Sequence, residues 1–123
     1  MIRSVLLVGI GGALGSMLRY LVQIFVSRQI PVHFPWGTLL VNLTGCFLIG
    51  LFYSLSLKHI AFNPEWRLFL ITGICGGYTT FSAFSLETML LMKEGSVFPA
   101  LVYILTSVVM GVLATVAGAA IIQ

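Results

Sequence analysis

Four long apolar runs separated by short polar breaks make up the whole chain. Residues 4–18, 29–57, 68–86 and 95–123 carry no Asp, Glu, Lys or Arg, and a membrane-spanning helix needs about 20 largely apolar residues. Extending each run to the nearest charge or turn signal predicts spans over about residues 3–27, 36–57, 66–92 and 97–122. Arg28 closes the first, and the loop beyond it holds Pro31, His33 and Pro35, which oppose helix. Trp36 marks an interface where the second span begins; Lys58 and His59 close it. Asn63, Pro64, Glu65 and Trp66 make a turn and helix start, while Lys93, Glu94 and Gly95 form a short loop before the fourth span. Four crossings put both termini on one side. Within the third span, the adjacent Gly76 and Gly77 and the β-branched Thr79 and Thr80 all weaken helix, so a helix broken at its centre, within 76–82, is expected.

Composition fixes the class. The chain is 59% hydrophobic and 7% charged, with a mean hydropathy of +1.13, whereas a soluble domain carries about a quarter charged residues. The expectation is an all-α integral membrane protein, one four-helix transmembrane domain over residues 1–123. Nothing is left for a soluble catalytic domain, a nucleic-acid module or a low-complexity tail. The net charge of +3 is scattered over Arg3, Arg19, Arg28, Lys58, Arg67 and Lys93 against Glu65, Glu87 and Glu94, so no nucleic-acid partner is expected. Cys46 and Cys75 form neither a C-x-x-C pair nor a metal knuckle and read as small packing residues. Arg3 followed by an apolar run imitates a signal peptide, but no small-residue cleavage site follows and Arg19 interrupts the run. The segment reads as a retained first helix. Arg3, Lys58 and Arg67 on the side of the termini balance Arg28 and Lys93 opposite, which is almost no orientation bias. Insertion in both directions, and hence an antiparallel dimer of one sequence, is compatible with that balance, as is a single orientation.

Four such helices enclose little space, because side chains fill a four-helix core; transport would require an oligomer. Gly11 and Gly15 form G-x-x-x-G in the first span, and Ser107, Gly111, Ala114 and Gly118 make a small-residue stripe on the fourth, both suited to close helix packing. The glycines at 9–15 have neither the spacing nor the preceding strand of a dinucleotide loop.

The remaining signal lies in polar residues at membrane depth, which are functional candidates by default. Arg19 precedes Arg28 by nine residues, about 13 Å at 1.5 Å per residue; it reads either as a vestibule cation or as a snorkelling anchor. Glu87, near the end of its span, is expected to reach water or pair with a cation, and His33 and His59 to be solvated. Thr38, Asn42 and Gly45 share a helix face, and Tyr103 and Ser107 lie one turn apart on another. Singly, each is explained by interhelical hydrogen bonding. Together, Arg19, Asn42 and Tyr103 fall in the same half of the membrane, and a guanidinium, an amide and hydroxyls suit an anion better than a cation because donors replace its lost water. Carbonyls freed at a broken third helix can bind a cation. Phe81 and Phe84, at i and i+3, read as core packing or as rings whose electropositive edges face a small anion.

With Gly11-Gly12-Ala13-Leu14-Gly15 leading to Arg19-Tyr20, Gly37-Thr38-Leu39-Leu40-Val41-Asn42 followed by Gly45, and Gly76-Gly77-Tyr78-Thr79-Thr80-Phe81-Ser82-Ala83-Phe84-Ser85, the chain resembles the Fluc fluoride channels, also called CrcB, over essentially its whole length. The third motif is the most specific. The resemblance implies a dual-topology, antiparallel homodimer in a cell's inner (plasma) membrane, with two fluoride pathways and passive fluoride export that protects a microbial cell. It implies a structural sodium ion at the dimer interface, held by the backbone carbonyls of Gly76 and Thr79. It places Phe81, Phe84 and Asn42 in the fluoride pathway, continued by Tyr103 and Ser107 and by the hydroxyls of Thr38, Thr80 and Ser82, with Arg19 as the vestibule charge. Fluoride, a second copy of the chain and membrane lipid are the implied partners. Ala83 stands where Thr is common in the family, and Tyr78 is a variable position.

Two other classes compete. A small multidrug exporter has this length and four spans, but proton-coupled export of cations needs a deep carboxylate, usually in the first span; here that span carries Arg19 and no acid. A non-transporting assembly protein would use every polar residue as helix glue. Enzymatic activity is not expected, for want of a nucleophile and base at reachable depth.

Overall fold

The computed structural model describes residues 1–59 and 61–122. Four helices are long and apolar enough to cross a membrane: α1 (Ile2–Gln29), α2 (Trp36–Lys58), α3 (Pro64–Lys93) and α4 (Val97–Ile122). At 23 to 30 residues they run roughly 34–45 Å at 1.5 Å per residue, beyond the ~30 Å hydrocarbon core. The protein is a multi-pass membrane protein.

Helix α3 has two parts, α3a over 64–78 and α3b (Phe81–Lys93). Pro64 sits at its first position and Asn63 Oδ1 accepts from the Trp66 N–H at 3.0 Å, an N-cap assembled from residues with the right φ and acceptor. Residues Leu68–Cys75 are wound as π-helix, a feature with no counterpart in the sequence expectations. Between the two parts, Thr79 (φ −81°, ψ 160°) and Thr80 (φ −150°, ψ 122°) are extended. The glycines are not the interruption: Gly76–Tyr78 is helical, and the β-branched threonines, at ease in extended backbone, leave it. Thr79 Oγ1 turns back to donate to Cys75 O at 2.9 Å, beside the Thr79 N–H on the same carbonyl at 3.0 Å, which closes the last helical turn. Thr80 then caps α3b, its Oγ1 accepting from the Ala83 N–H at 3.1 Å. The helix ends in a Schellman turn, with Gly95 at φ 87° and the Gly95 and Ser96 N–H groups donating to Met92 O and Leu91 O.

Packing pairs the helices in alternation, α1 against α3a and α2 against α4. Both seams are glycine contacts. A Cβ on Gly11 would lie 2.6 Å from Phe69 O, and one on Gly77 would lie 2.9 Å from Gly12 Cα. Across the other seam, a Cβ on Gly50 would lie 3.0 Å from the Ala119 nitrogen and one on Gly118 3.0 Å from the Leu51 nitrogen. Backbones this close gain van der Waals contact where apolar burial supplies no drive in lipid. Ser54 Oγ adds a 2.8 Å bond to Ala119 O. Helix α3b leans on α4, where Leu39, Leu91, Ala100 and Tyr103 form a buried cluster with Phe34, Leu43 and Phe84 packed on it.

Candidate functional site

The Thr79–Thr80 interruption is held by one side chain from α2. Asn42 Oδ1 accepts from the Thr80 N–H at 2.8 Å and Asn42 Nδ2 donates to Thr80 O at 3.1 Å, so its amide substitutes for a neighbouring strand. In an unbroken helix the Thr80 N–H would serve Gly76 O, and the Ala83 N–H would serve Thr79 O. Both are diverted, to Asn42 and to Thr80 Oγ1, which strips the Gly76 and Thr79 carbonyls of their ladder donors. Gly45 permits this approach: a Cβ there would fall on the Thr79 methyl group.

Arg19 and Ser16 reach the same segment from α1, donating to Gly77 O at 3.3 and 3.4 Å. Arg19 is half-buried, and among the described residues it lies outside the walls of both cavities at the site. The sequence places Arg19, Asn42 and Tyr103 in one half of the membrane, where they can converge. They do not: Arg19 and Asn42 hold backbone at the interruption, while the Tyr103 hydroxyl goes to Glu87.

A cleft of about 320 Å³ opens beside the interruption, lined in part by Asn42, Thr79, Thr80, Phe81, Phe84 and Ser107. Phe81 is 78% exposed; its ring centroid lies 5.7 Å from that of the half-buried Phe84, with the planes at 44°. Ser107 Oγ is buried with no hydrogen-bond partner among the described residues. An orphaned buried hydroxyl is costly and calls for a ligand or water. Thr80 Oγ1 and Ser82 Oγ, 3.3 Å apart, add exposed hydroxyls next to Phe81.

A second, larger cavity of about 610 Å³ lies under the α1–α2 loop and reaches Gln23, Thr38 and Glu87. Gln23 Nε2 donates to Thr38 Oγ1 at 3.0 Å, Thr38 Oγ1 donates to Glu87 Oε2 at 2.9 Å, and the Tyr103 hydroxyl donates to Glu87 Oε1 at 3.0 Å. Thr38 and Tyr103 are fully buried. Glu87 lines this cavity and so has access to its water, one of the two outcomes expected of it. It also accepts from two hydroxyls, because its position three residues after Phe84 turns it toward α2 and α4. The hydroxyls able to replace an anion's water are thereby engaged by a carboxylate. Spacing gave a hint only through Phe84, which Glu87 follows at i+3; Gln23 and Phe34, which complete this region, carried no sequence signal.

A family model described as CrcB-like protein, Camphor Resistance (CrcB), matches residues 6–119. A fluoride-specific ion channel FluC of Rhizobium meliloti is 50% identical over 119 residues, covering 97% of this chain and 95% of that protein. Proteins of the same name from Phocaeicola vulgatus and Flavobacterium psychrophilum are 48% and 43% identical, each over 94% of this chain and over 95% and 94% of their own length.

Proposed function

The chain belongs to the CrcB-like family, and on that premise we propose that the protein is a fluoride-specific ion channel, through which fluoride leaves the cell passively and its toxicity is relieved. It is a conduit and not an enzyme. The observation that carries the reading is the cleft at the helix interruption, where the Ser107 hydroxyl, without a hydrogen-bond partner among the described residues, meets the Asn42 amide and the Phe81 and Phe84 rings at membrane depth. Fluoride holds its water tightly, so a path for it must offer donors in series, each weak enough to release the ion. Asn42, Thr80, Phe81, Phe84 and Ser107 furnish amide, hydroxyl and ring-edge donors along the cleft, and the Ser82 hydroxyl lies beside it, 3.3 Å from Thr80 Oγ1. At Thr38 and Tyr103 an arriving fluoride takes hydroxyls from the Glu87 carboxylate, and that competition keeps its hold weak.

The working unit is an antiparallel, dual-topology homodimer in the inner (plasma) membrane. Support comes from the exposed Phe81 and from a cleft that stays open on one face, both completed by a second copy. The residues at the interruption also fit a structural sodium ion: a hard cation takes oxygen ligands, and the Gly76 and Thr79 carbonyls have lost their helical donors. A sodium ion held there would supply positive charge to the site. Arg19, on Gly77 O of the same turn, adds to that potential. The proton-coupled exporter has no support, since α1 carries no acid.

Fluoride efflux from liposomes containing the purified protein, read with a fluoride electrode alongside chloride efflux, tests the function. Rapid fluoride loss with negligible chloride loss is expected; no fluoride loss from a verified dimer refutes it.

A further inference from the structure

The loop between α1 and α2 is built to aim one ring. Pro35 has φ −78° and ψ 67°, and the Trp36 N–H donates to Phe34 O at 2.8 Å, which together make an inverse γ-turn centred on proline. Val32 and His33 on the loop are exposed, whereas Phe34 is tucked under it, on the wall of the 610 Å³ cavity. Its ring meets the Tyr103 ring edge-on, at 5.5 Å between centroids and 77° between planes, and the Trp36 ring at 4.9 Å. The Phe84 ring lies 5.0 Å from Tyr103 as well. Tyr103, with no exposed surface, is therefore clamped by Phe84 of the cleft and by Phe34 of the loop while its hydroxyl points to Glu87 Oε1.

We infer that Phe34 is a positioning residue of the conduction path: its ring holds Tyr103 against Glu87 and covers the Tyr103 side of that hydrogen bond, Glu87 itself lining the outer cavity. Two observations carry the inference independently. The edge-on geometry is the favoured aromatic arrangement and fixes the orientation of both rings. The cavity beyond Phe34 is large enough to hold many waters, and a hydroxyl opened to it exchanges its carboxylate partner for solvent. Among the described residues Phe34 lines the outer cavity and not the cleft around Ser107, so its influence passes through Tyr103. The inference rests on the channel reading of the preceding section.

The test is a double-mutant cycle on fluoride efflux from proteoliposomes, with dimer content of each variant checked by size exclusion. Phe34→Ala is expected to slow efflux about tenfold, the scale set by losing an aromatic pair together with its burial. Phe34→Tyr, which keeps the ring, is expected to retain the native rate. Tyr103→Phe removes the hydroxyl that Phe34 is held to position, so Phe34→Ala added to it should slow efflux no further. Native efflux in Phe34→Ala, or a double variant slower by the product of the two single effects, overturns the inference. Where Phe34→Ala does not assemble, Phe34→Leu, which keeps apolar volume and loses the ring, is read against the same outcomes. A wild type that does not conduct refutes the channel reading and this inference with it, whereas conduction with multiplicative effects refutes the inference alone.

Discussion

Replacing Asn42 by Ala removes both bonds that keep Thr80 extended, those of 2.8 and 3.1 Å. The Thr80 N–H and C=O are then unpaired at membrane depth. Leaving a buried polar group without its partner costs about 1–3 kcal/mol, so two such groups set an expected loss of about 2–6 kcal/mol. Rewinding the helix would recover the bonds, with Thr80 N–H returning to Gly76 O, but it would need Thr79 and the residues after it to turn out of the positions they occupy against Gly45 and Asn42. The loss is measured as the change in unfolding free energy on titrating dodecyl sulfate into mixed micelles. Asn42→Asp dissects it: the carboxylate keeps the acceptor for Thr80 N–H and sets an oxygen against Thr80 O, so it should lose stability and also impair fluoride flux by placing an anion in an anion path. A loss below about 1 kcal/mol for Asn42→Ala, the net worth of an ordinary hydrogen bond, together with native flux, would refute the assignment of Asn42 as the fastener of the interruption.

The other predictions follow from contacts of different kinds. Phe81→Ile and Phe84→Ile should abolish fluoride efflux while the dimer still elutes intact; unchanged flux in both would remove the rings from the path. Gly50→Ala and Gly118→Ala should destabilise by about 1–3 kcal/mol through overpacking of the α2–α4 seam, whereas Gly9→Ala, which meets nothing within 4 Å, should be neutral or slightly stabilising; equal effects at all three positions in the same titration would contradict the seam. Arg3→Ala should change stability by less than about 1 kcal/mol, since its 2.9 Å ion pair with Glu65 is exposed at both ends.

What was legible in the sequence was set by composition and by type of residue. The lipid solvent leaves helix as the main way to satisfy a spanning backbone, so apolar runs bounded by charges mark the four helices directly. Asn42, Tyr103 and Arg19 stood out because each is costly at depth, yet cost alone does not say whom a residue meets. Arg19 and Asn42 turned to backbone carbonyls on α3, partners that carry no sequence mark at all. Glu87 was expected to have access to water, and it lines the outer cavity, but its two hydroxyl partners were not legible, because they depend on which face of α3b turns toward α2 and α4. The two glycines drew attention to the right turn but for the wrong purpose, since Gly77 serves contact with Gly12 and the threonines leave the helix. The π-wound stretch at Leu68–Cys75 had no marker among residues that are all ordinary in a membrane helix.

The alternating seams also bear on how such a chain is made. Helix α1 finds its glycine partner in α3a, and α2 finds its own in α4, so neither α1 nor α2 meets its closest neighbour until another helix has been threaded in after it. Each of these two must reside in the bilayer without that partner for the time it takes to synthesise one further span. A helix that relied on its mate to hide a charge could not wait; α2 and α4 have no charge between their ends, and α1 carries its one deep charge where the long arginine can lean toward the interface meanwhile. The final helix closes the structure twice over, supplying the Gly118 side of the second seam and the Tyr103 that Glu87 awaits. A nascent chain arrested before Val97 would thus keep the first seam, leave Glu87 with the Thr38 hydroxyl alone and leave the glycine face of α2 uncovered.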